Sequence, residues 1–370
     1  MNDRPITVVG AGPAGLACAI AVARAGRQVI VRERGPCVGS RFHGDFQGLE
    51  NWTTTEDVLD DLSRNFIRPT FDYAASYGGV AFDDCGRGYE YSSSRPLFYL
   101  VRRGNIPGSL DTSLYEQALE AGVEIHFRDR VTQAEAPVAW SSGPRAADVI
   151  AVGYVFETNM PDGSWICFDN ELAPRGYSYL LVSRGSGTLA TCMFSRFAEH
   201  RACLGRTLDF FRKRVGLQMR RPRAFGGYGN IRLPRLALRA GQPMIGEHAG
   251  FQDPLAGFGI RLALTSGVIA AKSFVTGVDY ERLWRQCLLD QIRAGFTNRF
   301  LVNLFGDVTW RYILRFRLRG VDVRDQMRRL YHFSAAKRLL FPLASLWQLY
   351  RLEEALTPDR VAELDPAQAA

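Results

Sequence analysis

Ile6-Thr7-Val8-Val9-Gly10-Ala11-Gly12-Pro13-Ala14-Gly15 is a short β-branched run that breaks into closely spaced glycines. Such a run fits a buried parallel strand. Gly10 permits a tight turn, Gly12 lets backbone approach a pyrophosphate, and Gly15 lets the next helix pack on the strand. The free N–H groups and positive dipole end of that helix then face the phosphates, with Pro13 and Ala14 in its first turn. Small residues fill the helix and Gly26 stands where a C-terminal glycine belongs. The second strand, Gln28 to Arg32, ends at Glu33, 18 residues after Gly15, followed by Arg34. That is near the distance expected of an acid that binds ribose hydroxyls. Strand, glycines, helix, strand and acid occur in the order of a Rossmann-type dinucleotide site.

Outward from this unit, 370 residues suffice for more than one subdomain, and 46% apolar with 23% charged is ordinary globular usage. The apolar run Ile6 to Ala23 is interrupted by glycine and proline, so a glycine turn explains it better than a targeting segment. Seven widely spaced cysteines without a C-x-x-C argue against a disulfide scaffold or zinc site and fit a reducing cytoplasm. The net charge of +8 is concentrated: Arg293 to Arg351 hold twelve Arg/Lys and three Asp, leaving −1 elsewhere. Large apolar side chains, among them Phe300, Phe305, Trp310 and Phe316, lie between those arginines. The mixture suits an anionic membrane surface at residues 293–351; the alternative is a helix pair with a solvated basic face. No nucleic-acid-binding motif is visible, and G-x-S-x-G, H-E-x-x-H and P-loop patterns are absent. The expected place is the cytoplasm, peripheral to the inner face of the membrane. The last residues, 366–370, read as a frayed tail.

Residues 243–274 carry a second fingerprint: Gly246, Glu247, Ala249, Gly250, Pro254, Gly257, Gly259, Ile260, then Ser266, Gly267, Ala270 and Ala271. Here the sequence resembles the p-hydroxybenzoate hydroxylase-like superfamily of FAD enzymes, and within it the geranylgeranyl reductase family. The resemblance implies FAD as cofactor, Glu247 in place of an aspartate on the ribityl chain, and Pro254, Gly257, Gly259 and Ile260 beside the flavin. A helix starting near Gly259 aims its positive end at the flavin pyrimidine and favours the anionic reduced ring. The superfamily also has an arginine before a capped helix, matched by Arg103 before Ser109, with Arg102 as an equal candidate.

The reaction rests on fewer residues. Asp148 to Gly153 resembles the strand that ends in Asp-Gly in flavin hydroxylases, with Val152 in the acid's place, which speaks against a hydroxylase. Arg175 to Val182 resembles a reductase strand near flavin and substrate, making Tyr177 and Tyr179 candidate active-site residues; the other reading is sheet core. His43-Gly44-Asp45 matches a Cys-Gly-Asp of the archaeal reductases. His43 is therefore a candidate proton donor opposite the hydride, or else a surface histidine.

The expected fold is α/β. A discontinuous FAD-binding domain comprises 1–65, 95–155 and 225–280, an antiparallel-sheet substrate domain 66–94 and 156–224, and a helical C-terminal region 281–370. The resemblance implies reduction of C=C bonds in a polyprenyl or related apolar substrate. NAD(P)H, a ferredoxin or another reductase would donate the electrons. A monooxygenase of an aromatic or lipid substrate and a non-enzymatic membrane flavoprotein remain alternatives.

Overall fold

The computed structural model describes residues 4–318 and 320–351. The end of the expected helical C-terminal region, 352–370, with its tail at 366–370, lies outside the described residues. Strand β1 (Ile6–Val9), helix α1 (Pro13–Arg24) and strand β2 (Val29–Arg32) form the expected strand–helix–strand unit, with β1 and β2 parallel. The strands β3 (Phe46–Glu50), β4 (Tyr73–Ser76), β5 (Gly78–Phe82), β6 (Gly88–Ser92) and β7 (Phe98–Arg102) follow, with α2 (Val58–Arg64) after β3. Helix α3 (Leu110–Glu120) is capped by Ser109, whose hydroxyl accepts the Thr112 N–H at 3.1 Å. Short strands β8 (Glu124–His126) and β9 (Val138–Trp140) complete a parallel sheet in the order β8-β2-β1-β9.

A larger sheet is built from β5, β6, β10 (Val149–Glu157), β11 (Gly163–Cys167), β12 (Tyr177–Ser183), β13 (Ser186–Met193) and β14 (Arg220–Gly229). Its order is β14-β10-β13-β12-β11-β5-β6, antiparallel except for the parallel pair β5–β11. Helix α4 (His200–Val215) buries Leu204 and Phe211 against it. Strands β3, β7 and β4 make a small antiparallel sheet between the two. The boundaries drawn at 155/156 and 224/225 thus fall inside β10 and β14, because each of these strands pairs along its whole length with a single sheet.

One expectation is corrected here. Val149 and Ala151 of this strand line the same cavity as the glycine turn, but Val152 does not. Val152 is buried in the core of the seven-stranded sheet, with Phe82, Phe156 and Leu180. The strand that runs beside β1 is β9, followed by Ser141, Ser142 and Gly143.

Helix α5 (Ile260–Thr276) lies against α1. A Cβ on Gly267 would lie 2.2 Å from the Ala14 carbonyl oxygen, so only glycine allows this approach. Helices α6 (Tyr280–Phe305), α7 (Asp307–Tyr312), α8 (Val323–Tyr331) and α9 (Ala335–Arg351) form the helical C-terminal region. A five-residue π-turn, Ile313–Arg317, follows α7. Among the described residues no helix is long and apolar enough to cross a membrane.

Candidate functional site

A cavity of about 700 Å³ lies where the parallel sheet, the seven-stranded sheet and the C-terminal helices meet. Its first end is the turn after β1. Gly10 adopts φ +111°, and a Cβ there would lie 2.3 Å from the Ser141 carbonyl oxygen. Gly12 instead faces open space, with nothing within 4 Å of an added Cβ. That cradle lies at the N-terminus of α1, where a pyrophosphate meets free N–H groups. Gly15 does not line the cavity; a Cβ on it would lie 2.0 Å from the Gly10 carbonyl oxygen, so it serves helix packing as its spacing suggested.

Gly10, Gly12, Pro13, Ala14, Glu33 and Arg34 all face this end. Two backbone N–H groups orient Glu33: its Oε2 accepts from Ala11 at 2.7 Å and its Oε1 from Gly35 at 2.6 Å. A carboxylate held this way presents its remaining lone pairs to ribose hydroxyls.

In the middle of the cavity the two adjacent arginines part, and only Arg103 lines it. Alternation along β7 turns Arg102 toward Ser186, whose Oγ accepts at 2.9 Å, while Arg103 faces the cavity. Arg103 is buried, bidentate to Asp111 at 2.8 and 3.0 Å, and 4.0 Å over the Phe42 ring. Glu247 faces the same space with Arg41 Nη1 3.6 Å away. Burial pushes its carboxyl above the ordinary value, opposed by Arg41 and Arg103. Beyond it, Gly257, Gly259 and Ile260 bring the N-terminus of α5 to the cavity. Pro254 does not line it. It packs on Gly295 of α6, and its carbonyl accepts from Arg299 at 2.8 Å. The turn reaches the cavity through Leu255 and Ala256 instead.

The far end is aromatic. Tyr177 and Tyr179 project from β12, facing Trp165, Phe168 and Trp310, the last two stacked with centroids 3.8 Å apart. Tyr177 donates its hydroxyl to the Ala256 carbonyl, tying the strand to the loop before α5. Burial holds both phenols far above their usual range, so they act as neutral hydroxyls. His43 lines the wall but is solvent-exposed; its backbone N–H donates to Asp45 Oδ1 at 3.1 Å. Asp45, named from sequence only as part of the His43-Gly44-Asp45 match and given no role, is a buried acid that lines the cavity and accepts Gln47 Nε2 at 2.8 Å. Its place beside Arg103 follows from the pairing of β3 with β7.

His248, next to Glu247, is buried, with Gly143, Arg145 and Arg239 around its ring. Burial first, then Arg145 and Arg239, lowers its pKa to about 4. The unfolded ring, near 6.5, binds a proton that the folded one refuses. Stability from this group is therefore full above pH 6.5 and lost as pH falls toward 4. Urea unfolding at pH 7 and pH 4.5 should show a loss from this source of about 2–3 kcal/mol. A His248→Asn variant should lack that part of the loss; an equal loss in both proteins refutes the assignment.

Residues 5–151 match the model of a family described as FAD dependent oxidoreductase. Menaquinone reductase of Mycolicibacterium smegmatis is 25% identical over 355 residues, covering 80% of this chain and 83% of that protein. A geranylgeranyl bacteriochlorophyll reductase-like protein of Thermoplasma acidophilum superposes with a TM-score of 0.69 at 17% identity, covering 91% of this chain and 95% of its own. A flavin-dependent brominase shares the fold at TM-score 0.58 and 16% identity, over 93% and 99% of the two chains. The glycine turn, the oriented Glu33 and the matched N-terminal segment together make this chain an FAD-dependent oxidoreductase with the Rossmann-type flavoprotein fold.

Proposed function

We propose that the protein reduces C=C bonds of a polyprenyl-type lipid or a related apolar substrate. The observation that carries this reading is the cavity, which passes without a break from the glycine turn into a chamber walled by Trp165, Phe168, Tyr177, Tyr179 and Trp310. An apolar chain is retained there by burial and excluded water, and only a few polar groups are needed to orient it. Two similar proteins support the reading by name, since menaquinone and a geranylgeranyl group are both apolar.

When bound, FAD supplies hydride chemistry; the protein supplies position, charge and dryness. In this proposal Glu33 accepts the ribose hydroxyls and Arg34 flanks them. The turn at Gly10, Gly12 and Ala14 holds the pyrophosphate, and Glu247 takes the ribityl chain with Arg103 nearby. Gly257, Gly259 and Ile260 set the positive end of α5 against the ring, favouring negative charge there. Tyr177 and Tyr179 keep water from the reacting carbons. His43 gives the proton to the second carbon, and its exposure lets solvent reprotonate it. Electrons come from NAD(P)H, a ferredoxin or another reductase.

The monooxygenase alternative regains ground, because the argument from Val152 falls with its position in the other sheet. One anaerobic experiment separates the readings. Chemically reduced protein is mixed with a geranylgeranyl lipid, and flavin reoxidation is followed with product masses. Reoxidation with two hydrogens gained per double bond is the expected result. Silence until oxygen is admitted, followed by oxygen in the product, overturns it.

A further inference from the structure

We infer that residues 304–318 are a docking surface for an anionic lipid bilayer, and that this segment is also the wall between that bilayer and the cavity. The first part stands alone; the second rests on the lipid-substrate reading above. The segment is apolar on both sides. Inward, Trp310, Ile313, Leu314 and Leu318 line the cavity. Outward, Leu304, Phe305, Val308, Tyr312 and Phe316 are between 56% and 61% exposed. A partition that faces only water carries polar side chains outside, and clustered large apolar ones mark an interaction site.

Charge selects the occupant. Arg315 and Arg317 are exposed among these side chains, and Arg311, also exposed, pairs with Asp84 at 3.5 Å. The one acid of the segment, Asp307, is turned inward and accepts from Asn170 Nδ2 at 2.7 Å. Arginine between aromatic and aliphatic groups complements lipid phosphates above an apolar interior. With no described helix able to span a bilayer, the contact lies on the surface.

The test uses the full-length, FAD-loaded protein and substrate-free vesicles. Sedimentation should show binding to phosphatidylglycerol/phosphatidylcholine vesicles, weakened by salt, and little to phosphatidylcholine alone. An Arg315→Glu/Arg317→Glu variant should partition more than tenfold less, at about fivefold per arginine lost. Phe305→Ser/Phe316→Ser should do the same, and both variants should keep the wild-type flavin spectrum. Prenyl lipid in detergent micelles should then be turned over equally by all three proteins, and lipid in vesicles by the wild type alone. Absent or charge-independent vesicle binding, or variants that bind as the wild type does, overturns the docking surface. So does a serine variant whose only change is conversion of a dimer to a monomer, which assigns the patch to a second copy. Vesicle binding without turnover in micelles supports docking while removing the lipid-reductase reading and the wall's role in it.

Discussion

Gly12→Ala is expected to give a folded protein that purifies without flavin, and Gly15→Ala a protein that folds poorly whether or not flavin is supplied. The two positions are three residues apart, yet a methyl group meets different things. At Gly12 it meets no protein atom within 4 Å, and the backbone there is extended (φ −78°, ψ 175°), open to any residue. The fold should lose no more than about 1 kcal/mol, from a weaker helix cap. The methyl does occupy the cradle at the N-terminus of α1, where the pyrophosphate must approach. An affinity loss above about 100-fold, roughly 2.7 kcal/mol, is expected. At Gly15 the methyl meets the Gly10 carbonyl oxygen at 2.0 Å and Val8 Cγ1 at 3.2 Å. Backbone cannot yield as a side chain does, so α1 must leave β1 at a cost of about 3 kcal/mol or more. Flavin content after purification, with urea unfolding of the flavin-free proteins, separates the two. A Gly12→Ala protein that keeps its flavin would move the pyrophosphate away from this turn.

Arg299→Met should destabilise the protein by about 3–5 kcal/mol, the scale for removing one partner from a buried charged network. Arg299 sits on α6, buried, with its guanidinium 3.5 Å from the centre of the Phe194 ring. It donates to the carbonyls of Pro254, Leu255 and Arg175. Burial lowers its pKa to about 10, with the neighbouring Asp253 opposing, so it stays charged at neutral pH. Without it, three carbonyls lose their donor and the buried Asp253 carboxylate loses its cation. Two of those carbonyls belong to the turn whose next residue, Ala256, receives the Tyr177 hydroxyl. Flavin retention should therefore fall together with stability. Arg299→Lys should rescue little, because a point ammonium cannot serve three carbonyls fixed in the geometry of a planar fork. Urea midpoints near wild type for Arg299→Met would refute this account.

What the sequence disclosed follows from how local each cause is. The turn at Gly10–Gly15, the Gly26 cap, Ser109 and the start of α5 at Gly259 are written in neighbouring residues, and the structure places each where it was expected. The choice between Arg102 and Arg103 needed the phase of β7, which a single arginine pair does not reveal. The strand containing Val152 misled because Val149–Glu157 is long and apolar, whereas β9 is only three residues and ends in Ser141-Ser142 without an acid. The β5–β11 pairing joins residues about 85 positions apart and leaves no local trace. Arg299 was counted among surface arginines, since its acceptors are carbonyls of distant loops.

The close approach of Gly267 to Ala14 also sets a timetable. Helix α1 is complete at Arg24, but the helix that covers its second face is complete only after Thr276. At roughly 5–20 residues per second, α1 waits for tens of seconds on the ribosome before α5 exists. Throughout that interval its run of buried alanines and leucine has nothing to lie against on that side. The nascent chain thus has its nucleotide turn long before it has a closed nucleotide domain, and commitment to the fold waits for α5.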